Sequence, residues 1–148
     1  MRLERTEGPV SKKVTFSVPG RPVGKQRKVS RDGWTYMPDK TTDYMDRIAW
    51  FCRHARPDDW PIDAYYQLKF VAIYPSHNVA DGDNIEKTVK DALECDPKNV
   101  ENGTPKLLWK NDCRVRKEAH DVLTDPDVKR GGLLKVEVLV LSKSDCEV

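Results

Sequence analysis

Two aspartates, an asparagine and a lysine lie close together near the middle of the sequence: Asp81, Asp83, Asn84 and Lys87. Paired carboxylates are typical ligands of a hard divalent cation such as Mg²⁺, which prefers oxygen donors and keeps several waters. A lysine ammonium beside them can offset negative charge that builds up on a phosphate. This combination of residue types favours metal-assisted cleavage of a phosphodiester bond.

A strand followed by a helix is predicted to position these groups. The strand covers about Ala64 to Tyr74, which is rich in β-branched and aromatic residues. The helix runs from Asp83 to about residue 94, because apolar residues recur there at helical spacing. Asp83 is the expected N-cap, and Asp81, two residues earlier in extended chain, directs its carboxylate to the same side. Lys87 is one turn further on and lies on that side too.

Two simpler interpretations of this motif stay open. The aspartates can form a polar turn that ends in a helix cap. Lys87 can pair with Asp91 four residues on, a surface contact worth about 0.2–0.5 kcal/mol. An EF-hand is excluded, because its loop needs Gly at the sixth position and Glu at the twelfth, where this sequence has Glu86 and Ala92.

A third carboxylate is expected at Asp112, because a site that holds a catalytic cation usually needs more than two. Asp112 follows the apolar segment 107–109 and precedes a predicted strand at 114–122. If that strand pairs beside the 64–74 strand, Asp112 lies near the strand end that leads to Asp81. A turn formed by Asn111 and Asp112 is the alternative interpretation.

Length and composition indicate one water-soluble domain. The chain has 148 residues, of which 38% are hydrophobic and 34% charged. No apolar run approaches the roughly 20 residues that span a bilayer, and we expect a cytoplasmic protein. A flexible N-terminal segment is expected at 1–12 and the folded domain at 13–148. The four cysteines form no C-x-x-C pair, which predicts reduced thiols. His54, His77 and His120 have no metal-ligand spacing, and no role is predicted for them.

The charges are unevenly distributed along the chain. Residues 1–40 carry ten Lys/Arg and four Asp/Glu, a net of +6, against +2 for the whole chain. Segregated basic charge of this kind predicts a polyanionic partner such as a nucleic acid. A solvated loop that only aids solubility is the alternative. The predicted DNA-binding residues are the basic side chains of the first long loop: Arg21, Lys25, Arg27, Lys28 and Arg31.

The remaining patterns predict an α+β fold. A strand is expected at 14–18, a long loop at 21–40, a helix from about Thr41 to the residue before Pro57, and a final strand at 133–141. The last two strands are expected to form a hairpin. The element order β, α, β, α, β, β then gives a mixed sheet of about four strands with two main helices packed on it.

The sequence resembles the RusA-type Holliday-junction resolvases. The resemblance rests on the D-x-D-N-x-x-K-x-x-x-D-A-L motif at 81–93, the W-x-x-D-x-x-V motif at 109–115 and the V-P-G-R-P-V-G-K-Q-R segment at 18–27, with Tyr36 and Pro38 further on. It extends from about residue 13 to residue 141. The segment between Leu93 and Trp109 is longer than is usual in that family.

The resemblance implies a structure-selective endodeoxyribonuclease, common in bacteria and their phages, that resolves four-way junctions. It implies Mg²⁺ as the cofactor, with Mn²⁺ as a substitute, and a homodimer that makes paired nicks. Asp81, Asp83 and Asp112 match the family's essential metal-binding acids, and Lys87 matches its essential lysine. Asn84 and Asp91 are expected to support them, with Asp91 orienting Lys87.

The sequence is also compatible with two competing functions. One is a nuclease of phage replication that cuts flaps, forks or other branched DNA without preferring four-way junctions. The other is a catalytically silent DNA-binding accessory protein that retains the fold. The intact set of three acids and one lysine favours an enzyme over the silent accessory protein.

Overall fold

Four strands form a mixed sheet, and two helices pack on one of its faces. The computed structural model describes residues 13–25, 29–31, 33–36, 39–57, 60, 64–94, 108 and 114–141. Its elements are β1 (Lys13–Pro19), β2 (Val29–Arg31), β3 (Trp34–Tyr36), α1 (Asp39–Ala55), β4 (Tyr65–Tyr74), α2 (Gly82–Leu93), β5 (Val115–Thr124) and β6 (Leu133–Leu141). The main sheet has the order β1-β6-β4-β5. The predicted α+β class with about four strands and two main helices is therefore confirmed.

Alternation along the strands builds the core. In β1, Val14, Phe16 and Val18 are buried while the residues between them are exposed. The same period of two runs through β4 and β6, because successive side chains of a strand point to opposite faces. The helices cover this apolar face with side chains such as Ile48 and Val89, both fully buried. Burying a side chain of this size contributes about 1.5–3 kcal/mol.

The predicted hairpin of the last two strands is wrong. β6 pairs antiparallel with both β1 and β4, while β5 pairs parallel with β4 at the edge of the sheet. A parallel pair needs a crossover, and α2 supplies it between β4 and β5. The burial pattern agrees with this order, because β6 buries Leu134, Val136 and Val138 in the centre whereas most of β5 is exposed.

The predicted loop at 21–40 contains a short hairpin. β2 and β3 pair antiparallel, and Gly33 with a φ of 81° forms part of the turn between them. Strands of three residues are too short to show an alternating pattern, which explains why the sequence did not predict them. Helix α1 also begins at Asp39, two residues before the predicted start. Trp34 on the hairpin is 76% exposed.

Several expectations fall outside the described residues, among them the N-terminal segment 1–12. Of the cysteines, Cys52 is described: it is free and buried, and burial raises the pKa of its thiol to about 12. In the described part of the chain, no helix has the length and apolar character needed to cross a membrane.

Candidate active site

The acidic pair, Asp81 and Asp83, lies at the N-terminus of α2. Asp81, not Asp83 as predicted, is the N-cap, and its Oδ1 accepts a hydrogen bond from the backbone N of Asp83 at 3.1 Å. Asp81 has an extended backbone, and Gly82 begins the helix. Asp81, Asp83 and Lys87 are all exposed. The two carboxylates and the ammonium group are therefore accessible to a ligand that approaches from solvent.

The chemistry of this pair suits a hard cation. Two exposed carboxylates supply oxygen ligands and leave room for the waters that Mg²⁺ retains. Within the described ranges, neither aspartate has an ion pair with a basic side chain, so their negative charge is not already balanced by one. The described residues bring together no group of three acidic, histidine or cysteine side chains that would hold a metal alone. The predicted third ligand, Asp112, lies outside the described residues.

The strand register determines how far the start of β5 lies from Asp81 and Asp83. β5 does pair beside β4, as expected, but the pairing is parallel, so its first residue Val115 lies opposite Tyr66 and not opposite Tyr74. Helix α2 runs back along β4, so that its C-terminal end lies near the start of this strand. Leu108 connects the two: its backbone N donates to the carbonyl of Leu93, the last residue of α2, and its carbonyl accepts from the hydroxyl of Tyr66 on β4. Twelve helical residues span about 18 Å, so Val115 lies near the end of α2 that is remote from the acidic pair.

The basic segment 21–25 contacts α2 directly. The backbone N of Lys25 donates to the carbonyl of Asn84 at 3.0 Å. Its Nζ lies 2.6 Å from Oδ2 of Asp91. The structure thus gives Asp91 a different partner from the predicted Lys87. In the described part of the chain Lys87 forms no ion pair, so its ammonium group is available to a ligand.

A close approach at Gly24 brings this segment onto the helix. A Cβ at Gly24 would lie 3.1 Å from the Cβ of Asn84 and 3.3 Å from that of Ala80. Glycine therefore allows the backbone to lie closer to the start of α2 than most residues would. The segment and the helix N-terminus together form a groove of about 300 Å³.

This groove places basic side chains beside Asp81. Its lining includes Arg21, Lys25, Lys40 and Asp81. Arg21 is held in place by a contact of its guanidinium with the Tyr74 ring, at 4.9 Å from the ring centroid, and by a hydrogen bond to the carbonyl of Asn78. Lys40 was not predicted as a site residue, because its place beside the groove depends on the packing of α1. Cations next to a helix N-terminus form a site suited to phosphate.

The other predicted DNA-binding residues are described incompletely. Arg27 and Lys28 lie outside the described residues. The backbone of Arg31 lies in β2, and its side chain is outside the described part. The structure therefore places Arg21 and Lys25 in one groove with Asp81, while the contribution of the other three stays a prediction.

Four charged or titratable side chains connect α2 to β5 behind the acidic pair. Lys90 Nζ lies 2.7 Å from Glu118 Oε1 and 3.9 Å from Glu86 Oε2, and His120 Nδ1 lies 3.6 Å from Glu86 Oε1. No sequence pattern indicates this cluster, because no spacing motif links residues 86–90 to 118–120. Only the parallel register of β5 brings them together.

The two glutamates of this cluster titrate as a pair. Burial, a hydrogen bond to Glu118 and the negative charge of Glu118 raise the pKa of Glu86 to about 7. Burial also acts to raise the pKa of Glu118, but hydrogen bonds from Glu86 and Lys90 outweigh it and lower that pKa. Below about pH 7 the shared proton therefore resides on Glu86.

A pH-dependent stability difference is expected for Glu86→Gln. Native Glu86 keeps its proton up to a pKa of about 7, whereas the unfolded chain loses it near the ordinary value. The stabilisation due to this group is thus present at low pH and lost as pH rises towards 7. Glutamine cannot ionise, so the Tm of the variant relative to the unmodified protein should rise between about pH 4.5 and pH 7 and then level off. Thermal melts across this range test it, and a Tm difference independent of pH would contradict the shared proton.

Comparison with known families agrees with this site. The family described as Endodeoxyribonuclease RusA matches residues 19–130, which is more than half of the chain and includes the basic segment and α2. No curated protein matches the chain. RusA proteins are endodeoxyribonucleases that act on Holliday junctions, and an exposed acidic pair beside basic side chains is consistent with that chemistry. The chain therefore belongs to the endodeoxyribonuclease RusA family and is an enzyme of the Holliday-junction resolvase type.

Proposed function

We propose that this protein is a Mg²⁺-dependent resolvase that acts as a homodimer and cuts four-way DNA junctions by paired nicks. The observation that carries the proposal is the groove in which Arg21, Lys25 and Lys40 adjoin Asp81. Basic side chains bind the DNA backbone without reading its sequence. A phosphate bound in this groove lies beside Asp81 and near Asp83, two residues further on. Mn²⁺ is expected to substitute for Mg²⁺.

Each side chain of the site has a distinct role in this proposal. Asp81 and Asp83 hold the cation through their exposed carboxylates, and Asp112 completes the set. Bound Mg²⁺ supplies a water of lowered pKa and offsets charge on the phosphate. Lys87 places its ammonium group against the non-bridging phosphate oxygens and stabilises the charge that develops there.

Two further residues keep the site in place. Asn84 accepts the backbone hydrogen bond of Lys25 through its carbonyl and so fixes the basic segment beside Asp83. Asp91 holds the Lys25 ammonium at 2.6 Å, on the same helix as Lys87. Asp91 therefore orients the DNA-binding segment, and its loss is expected to weaken DNA binding more than the chemical step.

A homodimer follows from the symmetry of the substrate. Resolution of a four-way junction requires two nicks in symmetric strands, and the described part of one chain carries one exposed acidic pair. The parallel register of β4 and β5 adds a second reason, because the start of β5 is about one helix length from Asp81. We infer that Asp112 of the partner subunit completes each set of ligands.

Mixing two inactive variants tests that arrangement. Asp83→Asn and Asp112→Asn are each expected to be inactive alone. If each site takes Asp112 from the partner subunit, a mixed dimer has one intact site and nicks one strand of the junction. If each chain builds its own site, the mixed dimer has two defective sites and no nicking returns, which would contradict the shared site.

Substrate comparison tests the proposed function itself. Synthetic four-way, flap and fork substrates of matched sequence should be incubated with the protein, with Mg²⁺ and with a chelator. The proposal predicts paired nicks in the four-way junction that require the metal. Faster cleavage of the flap or fork would identify a branched-DNA nuclease instead, and absence of nicking on every substrate would support the silent accessory protein.

The basic segment gives a prediction about salt. Lys25→Ala combined with Arg27→Ala should weaken junction binding and make its dependence on salt concentration less steep, because each phosphate contact contributes about 0.9 to the slope of log K against log salt. Binding titrations at several salt concentrations measure it. Lys69→Ala, on an exposed position of β4, is the control. A slope unchanged in the double variant would remove this segment from DNA binding.

A further inference from the structure

His120 on β5 lies against the backbone that carries the acidic pair. Its imidazole stacks on the ring of Phe70 on β4, with centroids 5.0 Å apart and an interplanar angle of 13°. A Cβ at Gly82 would overlap the imidazole Nε2 and lie 2.6 Å from its Cδ2. Real Cβ atoms essentially never approach another atom this closely. The first turn of α2 therefore rests directly on the edge of the imidazole.

The rest of the cluster behind the acidic pair fixes the same helix to the same strand. Glu86 Oε1 lies 3.6 Å from His120 Nδ1, and Lys90 is bound to Glu118 at 2.7 Å. These contacts hold the middle of α2 on β5, while the imidazole supports its first turn. Phe70 lies opposite His120 on the neighbouring strand, so the stacked rings limit movement of the imidazole towards β4. The imidazole therefore forms a defined surface under Gly82.

We propose that His120 is a positioning residue for Asp81 and Asp83, acting through Gly82. The two aspartates flank this glycine directly, so any displacement of its backbone moves both carboxylates. Metal ligands must be held within about 0.5 Å of their working geometry by supporting residues. This inference rests on the proposed function, since it assigns His120 to the cation that Asp81 and Asp83 are proposed to hold.

A pair of size-complementary substitutions provides the test. Gly82→Ala adds a methyl group for which there is no space, so the start of the helix or the imidazole must move. The backbone of Gly82 is not in the left-handed region, so alanine can adopt it. His120→Ala removes the support instead. In the double variant the methyl group occupies space that the imidazole has left.

Binding of Mn²⁺ to the DNA-free protein, followed by its electron paramagnetic resonance signal, is the main readout. Gly82→Ala should weaken Mn²⁺ binding about 10-fold or more, as loss of a supporting partner does at metal sites. His120→Ala should weaken it by a similar or smaller factor. The double variant should recover to within about 3-fold of the unmodified protein. Junction affinity without metal should be unchanged in all three variants.

Thermal melts separate positioning from a purely structural role. A fall in Tm with unchanged Mn²⁺ affinity in either single variant would overturn the proposal, as would a double variant no better than the weaker single one. If Gly82→Ala does not fold, His120→Ala decides alone, because it adds no volume. His54→Ala on α1, whose ring contacts Trp50, is the matched histidine control and should bind Mn²⁺ normally.

The same measurements distinguish this inference from the proposed function. If the unmodified protein neither binds Mn²⁺ nor nicks a junction, the proposed function fails. If the unmodified protein does both and Gly82→Ala behaves identically, only the role of His120 is lost.

Discussion

Asp83→Asn is expected to abolish junction cleavage and to leave junction binding intact or tighter. The rate should fall by more than about 1,000-fold, corresponding to about 4 kcal/mol of transition-state stabilisation. Asparagine keeps the shape of the side chain but removes the negative charge that holds the cation. Binding should not weaken, because the substitution also removes a carboxylate that repels phosphate. Gel assays of nicking and of binding to the same labelled four-way junction measure both effects.

Asp83→Asn tests the metal site without removing the helix cap. Asp81, not Asp83, caps α2, so Asp83→Asn leaves the helix cap in place and should not change the Tm. Asp46→Asn, at an exposed position of α1, is the matched control and should cut normally. Cleavage by Asp83→Asn at the rate of the unmodified protein in Mg²⁺ would show that the metal site has been assigned to the wrong residues.

Lys87→Ala is expected to give the second largest loss. Removal of one group that stabilises developing charge costs roughly 100- to 1,000-fold in rate. In the described part of the chain Lys87 has no ion pair, so the substitution removes no internal contact of that kind and stability should be retained. Single-turnover cleavage of the junction at saturating protein isolates this effect from binding.

A graded series makes the lysine prediction sharper. Lys87→Arg keeps the positive charge and should retain part of the activity, whereas Lys87→Gln should behave like alanine. Lys69→Ala, on the face of the sheet that the helices do not cover, controls for the loss of one positive charge. A decrease in the cleavage rate of Lys87→Ala that disappears when the protein concentration is raised would assign this lysine to binding instead of catalysis.

The sequence predicted the parts of the site that depend on local patterns. The strand before Asp81, the helix after it and the exposed side on which Lys87 lies all follow from periodicities within about 30 residues. The predicted cap, Asp83, lies two residues after the observed cap, because both Asp81 and Asp83 are good N-cap residues and the helical stripe begins only at Ile85. The error does not alter the position of the two carboxylates at the start of α2.

Contacts between distant segments could not be predicted in this way. The Lys25–Asp91 pair, the position of Lys40 beside the groove and the imidazole below Gly82 all depend on tertiary packing or on the sheet register. The expected hairpin was wrong for the same reason, since local patterns do not say which strand lies between two others. No spacing pattern singles out His120 in the sequence. Its position under Gly82 depends on the parallel pairing of β5 with β4.

The metal dependence of Asp112→Asn tests the central claim most directly, because the claim requires three carboxylates to share one cation. Nicking of a labelled four-way junction should be followed across a Mg²⁺ titration for this variant and the unmodified protein. The proposal predicts nicking by the unmodified protein that stops when Mg²⁺ is chelated, and no nicking, or nicking only at much higher Mg²⁺, by Asp112→Asn. Identical Mg²⁺ curves for the two proteins, or nicking that persists without Mg²⁺, would contradict it.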